Sequence, residues 1–320
     1  MATVGVLLLL VTGAVVLRIS LGSDGLSWPE AEIRGLRLHR IALAMVCGSA
    51  LAVAGVVLQA FLRNPLASPD LTGVAAGSGL GLLIAAYVAY RMGEVLAPAL
   101  FGPAAMTGAL LTLALVGLAS RRGGRSDPVA MVLIGVSVGI LASALGLLVQ
   151  QMMPPDPSRS VTRWLIGSLD EHASVRLVIA SGVIVAAAIG LVVTVGPSID
   201  AAALSDEEAA SVGVRIGPLR WLMFVLAGVL TAVAVVLGGP IGFVGLVCPH
   251  LVRSFAGPSH RGLVVGAAIA GALMLVSADV VVRLVDLGHG RLPIGVVTAI
   301  VGAPVLIAML RRGVGAWGGA

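Results

Sequence analysis

Long runs of apolar residues, separated by short polar segments, fill the chain from end to end. The runs are continuous rather than alternating, and most approach the roughly 20 residues that a helix needs to cross ~30 Å of hydrocarbon. Because only helices and closed barrels satisfy their backbone hydrogen bonds in lipid, continuous runs predict helices. We predict ten membrane-spanning helices, at residues 3–21, 38–61, 73–90, 96–119, 128–150, 175–196, 219–238, 242–256, 263–283 and 293–311. The eighth is short for a full crossing.

The longest polar segments are residues 22–40, 151–174 and 197–218. The last one contains a capping-box pattern, in which Ser205 caps a helix and Glu208 follows three residues later. Gly213 then supplies a C-terminal stop. This pattern predicts a short amphipathic helix outside the membrane, within an exposed segment at about 198–216.

Composition agrees with a single transmembrane domain over residues 1–320. The mean hydropathy is +1.09 and 11% of residues are charged, whereas a soluble protein has about a quarter. All basic residues are arginines, dispersed among the loops without interleaved aromatics. This dispersion argues against nucleic-acid binding and leaves membrane lipid as the surrounding medium.

Four unusual segments follow one another along the chain. Arg37 and Arg40 open a helix whose end breaks at Asn64-Pro65 and Pro69-Asp70, which we place at the inner face. The acidic segment 204–214 comes next. It is followed by Gly-Phe-Val-Gly-Leu-Val-Cys-Pro-His-Leu-Val-Arg at 242–253 and Leu-Pro-Ile-Gly-Val-Val-Thr at 292–298.

In this order and spacing, the segments resemble the FecCD-type permeases, the membrane subunits of type II ABC importers for iron-siderophores, haem and cobalamin. The resemblance runs from about residue 30 to the C-terminus. The stretch Arg-Trp-Leu-Ile-Gly-Ser-Leu at 163–169 resembles the siderophore branch. The resemblance therefore implies an ATP-driven importer, with ferric siderophores as the favoured cargo and cobalamin or haem as alternatives.

The resemblance also implies partners. It predicts an all-α, polytopic permease of about ten helices in the bacterial cytoplasmic membrane, with both termini in the cytoplasm. Two such subunits, identical or paralogous, form the substrate path between them. Two ATPase subunits bind inside and an extracytoplasmic binding protein docks outside. With no lysine, the chain cannot form a Walker motif, so ATP and magnesium belong to the ATPase, and no cofactor or catalytic residue is expected here.

The positive-inside rule does not settle the orientation. In this topology ten arginines fall on each side of the membrane. The dense groups Arg121/Arg122/Arg125 and Arg311/Arg312 favour the orientation given.

Site residues follow from the resemblance, position by position. Docking of the binding protein is assigned to Arg37, Arg40 and Arg283, since the planar guanidinium binds carboxylates bidentately; arginines reaching lipid headgroups remain the alternative. Coupling to the ATPase is assigned to Leu204, Ser205, Asp206, Glu207, Glu208, Ala209 and Gly213, with an ordinary surface helix as the alternative. Fold-defining or gating positions are Asn64, Pro65, Pro69, Gly242, Gly245, Pro249, His250, Pro293, Gly295, Gly302 and Pro304. The path lining is assigned to Ser137, Gly139 and Ser143.

Asp279 is the one ionisable residue inside its span before Arg283, and its spacing favours an intrahelical ion pair with Arg283. His250 has no second ligand at metal-binding spacing, so no metal site is expected. A membrane-embedded enzyme would need convergent acid, base or metal groups within the spans. An ion-coupled transporter would need several carboxylates there. The sequence favours neither.

Overall fold

The computed structural model describes residues 2–22, 25–26, 28–122, 125–126, 128–154, 161–162, 164–170, 172–257, 259–285 and 292–317. The α-helices in these ranges are α1 (Ala2–Ser20), α2 (Ala31–Leu62), α3 (Val74–Arg91), α4 (Phe101–Ala119), α5 (Pro128–Gln151), α6 (Val175–Leu204), α7 (Asp206–Ser211), α8 (Ile216–Gly238), α9 (Val244–Ala256), α10 (His260–Leu284) and α11 (Ile294–Trp317). Two 3-10 helices span Pro69–Thr72 and Pro98–Leu100. Arg163, part of the siderophore-like stretch, lies outside the described residues.

Residues 161–162 and 164–165 are also helical, and two short antiparallel strand pairs are present. Strand β1 (Leu21–Gly22) pairs with β2 (Gly25–Leu26) after α1. Strand β3 (Arg121–Arg122) pairs with β4 (Arg125–Ser126) between α4 and α5. Each pair is a tight hairpin between consecutive spans, so the fold remains helical.

The apolar helices match the ten predicted spans. Among the described residues, seven helices are long and apolar enough to cross a membrane, and three shorter apolar helices lie at Val4–Ser20, Val244–Phe255 and Ile294–Met309. The predicted eighth span is indeed a short one. Three boundaries differ by six residues or more, because α2 begins at Ala31, α6 continues past Pro197 to Leu204, and α11 continues to Trp317. Hydropathy marks where the apolar surface ends, whereas the helix continues into polar sequence.

Helices α2, α8 and α10 form the centre of the bundle. Of their most apolar segments, 78%, 72% and 67% are buried, against 22% for α5 and 28% for α6. Glycines permit close helix contacts at this centre: a Cβ on Gly48 would lie 2.1 Å from the Gly271 carbonyl oxygen. Small residues at such crossings are typical of membrane helices. The outward faces of α5 and α6 remain available to lipid or another subunit.

The segment 64–73, called the re-entrant segment from here on, turns back into the bundle after α2. Helix α2 ends at Arg63 in a left-handed conformation (φ 49°). Farther along, a side chain at Gly245 would collide with the ring of Pro69 at 2.7 Å. Gly73, at φ 73°, lies against Gly135 and Gly139 near the middle of α5. The Pro69-Asp70 break therefore lies at the depth of mid-α5. Its placement at the inner face of the membrane stays a prediction.

Candidate functional site

Three arrangements of polar residues stand out in this apolar bundle. The first is a buried ion-pair cluster that joins α1, α2 and α10. Arg18 Nε lies 2.5 Å from Asp279 Oδ2, and Arg40 Nε lies 2.7 Å from Asp279 Oδ1. The side chains of Arg18, Arg40 and Asp279 are 5%, 13% and 1% exposed. One carboxylate thus fixes arginines from two other helices at one end of the bundle, called the Arg40 side here.

Helix geometry explains why sequence reasoning missed these partners. The i,i+4 spacing pointed to Arg283, whereas the described ion pairs of Asp279 come from residues 261 and 239 positions away in sequence. A lone intramembrane carboxylate does predict a cationic partner. Its identity depends on which helices pack together, which spacing within one helix does not show.

The ion-pair cluster forms the floor of a basic cavity of about 340 Å³. Its lining consists of Arg18, Ile33, Leu36, Arg37, His39, Arg40, His172 and Arg283. The structure therefore brings the three predicted docking arginines to one site. Arg37 donates a hydrogen bond to the backbone oxygen of Ile19, which orients its guanidinium. Among the described residues of this cavity and the carboxylate beside it, four arginines stand against Asp279, which gives this part of the site a positive charge.

The second arrangement lies at the opposite end of α2, called the Arg63 side. Asp206, the first residue of α7, is paired with Arg63 and with Arg220 of α8, the latter at 2.8 Å. Arg63 Nε also donates to the Ala202 carbonyl oxygen at 2.8 Å. These contacts attach α7 to the last residues of α2 and the first turn of α8. The sequence did not indicate them.

The short helix α7 confirms the local prediction. The Glu208 N–H donates to Ser205 Oγ at 3.0 Å, and the Ser205 hydroxyl donates to the Glu208 carboxylate at 2.8 Å. Gly213 follows at φ 87° and ends the turn. Ala209 is buried, whereas Glu207 is exposed and the apolar Val212 is 69% exposed. The side chain of Leu204, the remaining predicted coupling residue, lies outside what the structure describes.

The third arrangement is a cavity of about 450 Å³ between α3 and α5. Ser143 lines it, together with Asp70 and Gln150. The other two predicted path residues do not. Gly139 is buried, and a Cβ there would lie 3.2 Å from Gly73 Cα; the small residue serves helix packing. The exposed Ser137 hydroxyl donates to the Leu133 carbonyl oxygen within its own helix.

The remaining motif glycines and prolines shape turns and close contacts. The Gly295 N–H donates to the Gly167 carbonyl oxygen at 3.1 Å, and a Cβ at Gly295 would lie 2.4 Å from the Ile166 oxygen. A Cβ at Gly302 would collide with Phe243, itself at φ 68°.

The motif prolines lie at or within helices: Pro293 just before α11, Pro304 within α11, and Pro249 within α9 beside His250. Gly242 has open space around it. At Asn64-Pro65, the Leu66 N–H donates to the Asn64 side-chain oxygen.

Comparisons with known proteins agree with this architecture. The model of the FecCD transport family matches residues 1–312. The chain is 39% identical over 290 residues to the vitamin B12 import system permease protein BtuC of Vibrio cholerae serotype O1, covering 89% of this chain and 85% of the relative. It is 34% identical over 283 residues to the molybdate import system permease protein MolB of Haemophilus influenzae, covering 87% and 81%. The hemin transport system permease protein HmuU of Yersinia pestis is 31% identical over 277 residues, covering 87% and 82%.

Solved structures give the same result. A metal-chelate type ABC transporter in an inward-facing conformation superposes with a TM-score of 0.85 and 31% identity, covering 97% of this chain and 99% of that chain. The PsaBC complex from Streptococcus pneumoniae, at 14% identity and a TM-score of 0.54, shares the fold.

The helical bundle, the polar sites at its two ends and the comparisons together define the class of protein. It is a multi-pass inner-membrane transport protein, the permease subunit of a type II ABC importer. The chain belongs to the FecCD transport family. Such subunits are not enzymes, and ATP hydrolysis lies in a separate ATPase.

Proposed function

We propose that this chain forms the translocation path of an importer for metal chelates, with ferric siderophores as the favoured cargo. The siderophore-like stretch at 163–169 supports this cargo, as does the likeness to the metal-chelate type transporter. Cobalamin and haem are second candidates, since relatives are named for vitamin B12 and hemin. The path runs between this subunit and a second permease subunit, identical or paralogous.

Uptake of radiolabelled iron tests the cargo. Cells with and without the gene are starved of iron and supplied with ferric siderophores. We expect uptake to be lost without the gene and restored by the intact gene. Unchanged iron uptake, with loss of labelled cobalamin or haem uptake, would instead assign one of those cargoes.

We assign the Arg63 side to the cytoplasm. Helix α7 lies there, where it meets the ATPase, and the Arg40 side faces the binding protein. Helix α1 runs toward the Arg40 side, because Arg18 in its last turn reaches Asp279. The N-terminus then lies on the cytoplasmic side, as the sequence predicts.

The basic cavity on the Arg40 side is the proposed docking site for the binding protein. Its arginines present guanidinium groups to acidic residues of the partner, and complementary charge also speeds encounter. Replacing Arg40 would also remove an ion pair of the buried Asp279, so Arg37 and Arg283 are used as the docking probes. The observation that carries this proposal is their convergence, with Arg40, on one positive cavity.

Replacing Arg37 and Arg283 by alanine is expected to weaken binding-protein affinity about tenfold per arginine, because hydrogen bonds between charged groups contribute roughly 1.5–3 kcal/mol. Binding of the purified binding protein to the importer in nanodiscs measures this. Arg91→Ala is the matched control, since Arg91 is an exposed arginine at the C-terminal end of α3. Equal affinity for the double variant and the control would assign the arginines to lipid headgroups instead.

Helix α7 is the proposed contact with the ATPase. It presents Glu207 and the apolar Val212 to the outside while Asp206 holds it to α2 and α8. Burial of an exposed valine at an interface stabilises it by about 1.5 kcal/mol or more. The exposed side chain of Val212 therefore fits a protein partner better than water.

Val212→Glu is expected to lower co-purification of the ATPase subunit about tenfold, because burying one valine contributes at least roughly 1.5 kcal/mol. Cargo-stimulated ATP hydrolysis should fall in parallel. Val95→Glu, the same change at an exposed valine just after α3, serves as the matched control. Retained ATPase in the Val212→Glu complex would contradict the assignment of α7.

A further inference from the structure

The carboxylate of Asp70 faces the cavity between α3 and α5, and no described cationic side chain pairs with it. In the described part of the chain, Asp200, Asp206 and Asp279 each contact a histidine or arginine side chain. The described contacts of Asp70 include no such partner. They are local hydrogen bonds with Ser68. Among the described residues, no cationic side chain therefore compensates its charge.

Asp70 also lies at the level of the middle of the bundle, with its side chain exposed toward the open cavity. It precedes Gly73 by three residues, and Gly73 contacts Gly135 and Gly139 near the middle of α5. The re-entrant segment thus carries a carboxylate to the level of the middle of α5, which is one of the helices long and apolar enough to cross a membrane. Ionisable groups at this depth are costly, and they mark substrate or ion pathways. A purely local structural role at the 3-10 helix would not require the Asp70 carboxylate to face this cavity.

The orientation of the carboxylate is set by its neighbour. Ser68 Oγ donates to Asp70 Oδ2 at 3.0 Å and accepts from the Asp70 N–H at 3.3 Å. Among the described hydrogen bonds, none reaches Oδ1. One carboxylate oxygen is therefore left as an oriented acceptor beside the cavity.

The rest of the cavity is mostly apolar. Besides Asp70, its polar side chains are Ser143 and Gln150, and its described lining includes no arginine, lysine or histidine. Apolar walls suit a bulky ligand with a large organic surface. An oxyanion would find no cationic donor in the described lining. It would also be repelled by the Asp70 carboxylate, because repulsion between like charges is strong where water is scarce.

We propose that Asp70 selects cargo by charge at this point of the path. It binds groups that carry positive charge or donate hydrogen bonds on a bulky metal chelate, and it disfavours oxyanions. This inference rests on the proposed function of the chain as a chelate importer. It further predicts that this chain does not share the cargo of the relative named for molybdate.

The test uses the whole importer, with its ATPase and binding protein, in proteoliposomes loaded with ATP. Four probes differ in charge: cationic ferrioxamine B, neutral amide-rich cyanocobalamin, anionic haemin and molybdate. We expect uptake of ferrioxamine B or cyanocobalamin and none of molybdate. Asp70→Asn should slow the initial rate about tenfold, since it removes hydrogen bonds to a charged group. Asp70→Glu should restore most of the rate.

Glu94→Gln, at an exposed position after α3, is the control and should transport at the wild-type rate. Molybdate uptake by the wild type, or an unchanged rate for Asp70→Asn, would overturn the inference. If Asp70→Asn fails to retain its ATPase, Ser68→Ala keeps the carboxylate and removes its hydrogen bond from Ser68 together with the cap hydrogen bond from the Asp70 N–H. A wild-type rate for this variant is the contradicting result. A wild-type complex that couples none of the probes to ATP hydrolysis would instead contradict the proposed function.

Discussion

Replacing Asp279 by alanine is expected to lower the free energy of unfolding by about 3–5 kcal/mol, the usual effect of removing one partner of a buried ion pair. The substitution leaves the guanidinium groups of Arg18 and Arg40 without their shared carboxylate. Both are largely buried, so water does not replace the lost partner. Thermal unfolding of the detergent-purified chain measures the change. Expression in the membrane should fall with it.

Two variants make this result specific to the ion-pair cluster. Glu32→Ala removes an exposed carboxylate from the first turn of α2 and should leave stability unchanged. The triple variant Asp279→Leu with Arg18→Met and Arg40→Met should recover most of the loss, because apolar replacement of a whole buried ion cluster is often neutral. If Asp279→Ala unfolds at the wild-type temperature, the cluster does not stabilise the bundle.

Gly55→Leu is expected to have an effect of similar size, about 3 kcal/mol, at the upper end for overpacking. A Cβ at Gly55 would lie 1.8 Å from the Gly245 carbonyl oxygen, so a side chain can enter only if α2 and α9 separate. The contact is with backbone, and rotation of a side chain does not relieve it. Thermal unfolding and the fraction of monodisperse protein report the loss.

Gly35→Leu is the matched control, since Gly35 belongs to the same helix and a Cβ there meets nothing within 4 Å. It introduces the same side chain into the same helix. Its stability should lie within about 0.5 kcal/mol of the wild type, as for most surface substitutions. Equal losses for both variants would mean that leucine is unfavourable in α2 for reasons other than the contact with α9.

Local features of this fold were predictable from sequence, and contacts between distant segments were not. The ten apolar helices, the Ser205 cap and the Gly213 stop depend on neighbouring residues, so local sequence patterns predict them. The partners of Asp279 depend on how α1, α2 and α10 pack. The depth of Pro69 depends on where the chain turns back. The packing role of Gly139 depends on the close approach of α5 to Gly73. None of these leaves a signal in a single sequence.

The polar sites divide in the same way. The resemblance pointed to Arg37, Arg40 and Arg283 together, and the structure places them at one cavity. The attachments of Asp206 to Arg63 and Arg220 were missed, because a surface carboxylate has many possible partners. Asp70 was noticed only as part of a chain break. The proposed role of Asp70 depends on the cavity that it faces, and that cavity is formed by several helices that are distant in sequence.

Helix α2 carries an ion-pair anchor near each end without a break between them. Arg40 is tied to α10 through Asp279, and Arg63 is tied to α7 through Asp206. At 1.5 Å per residue the two anchors are about 35 Å apart. A rigid tilt of the helix by about 5° about one anchor would therefore move the other anchor by about 3 Å over this length. A displacement at one anchor would be carried to the other by rigid-body rotation, without breaking a hydrogen bond of the helix.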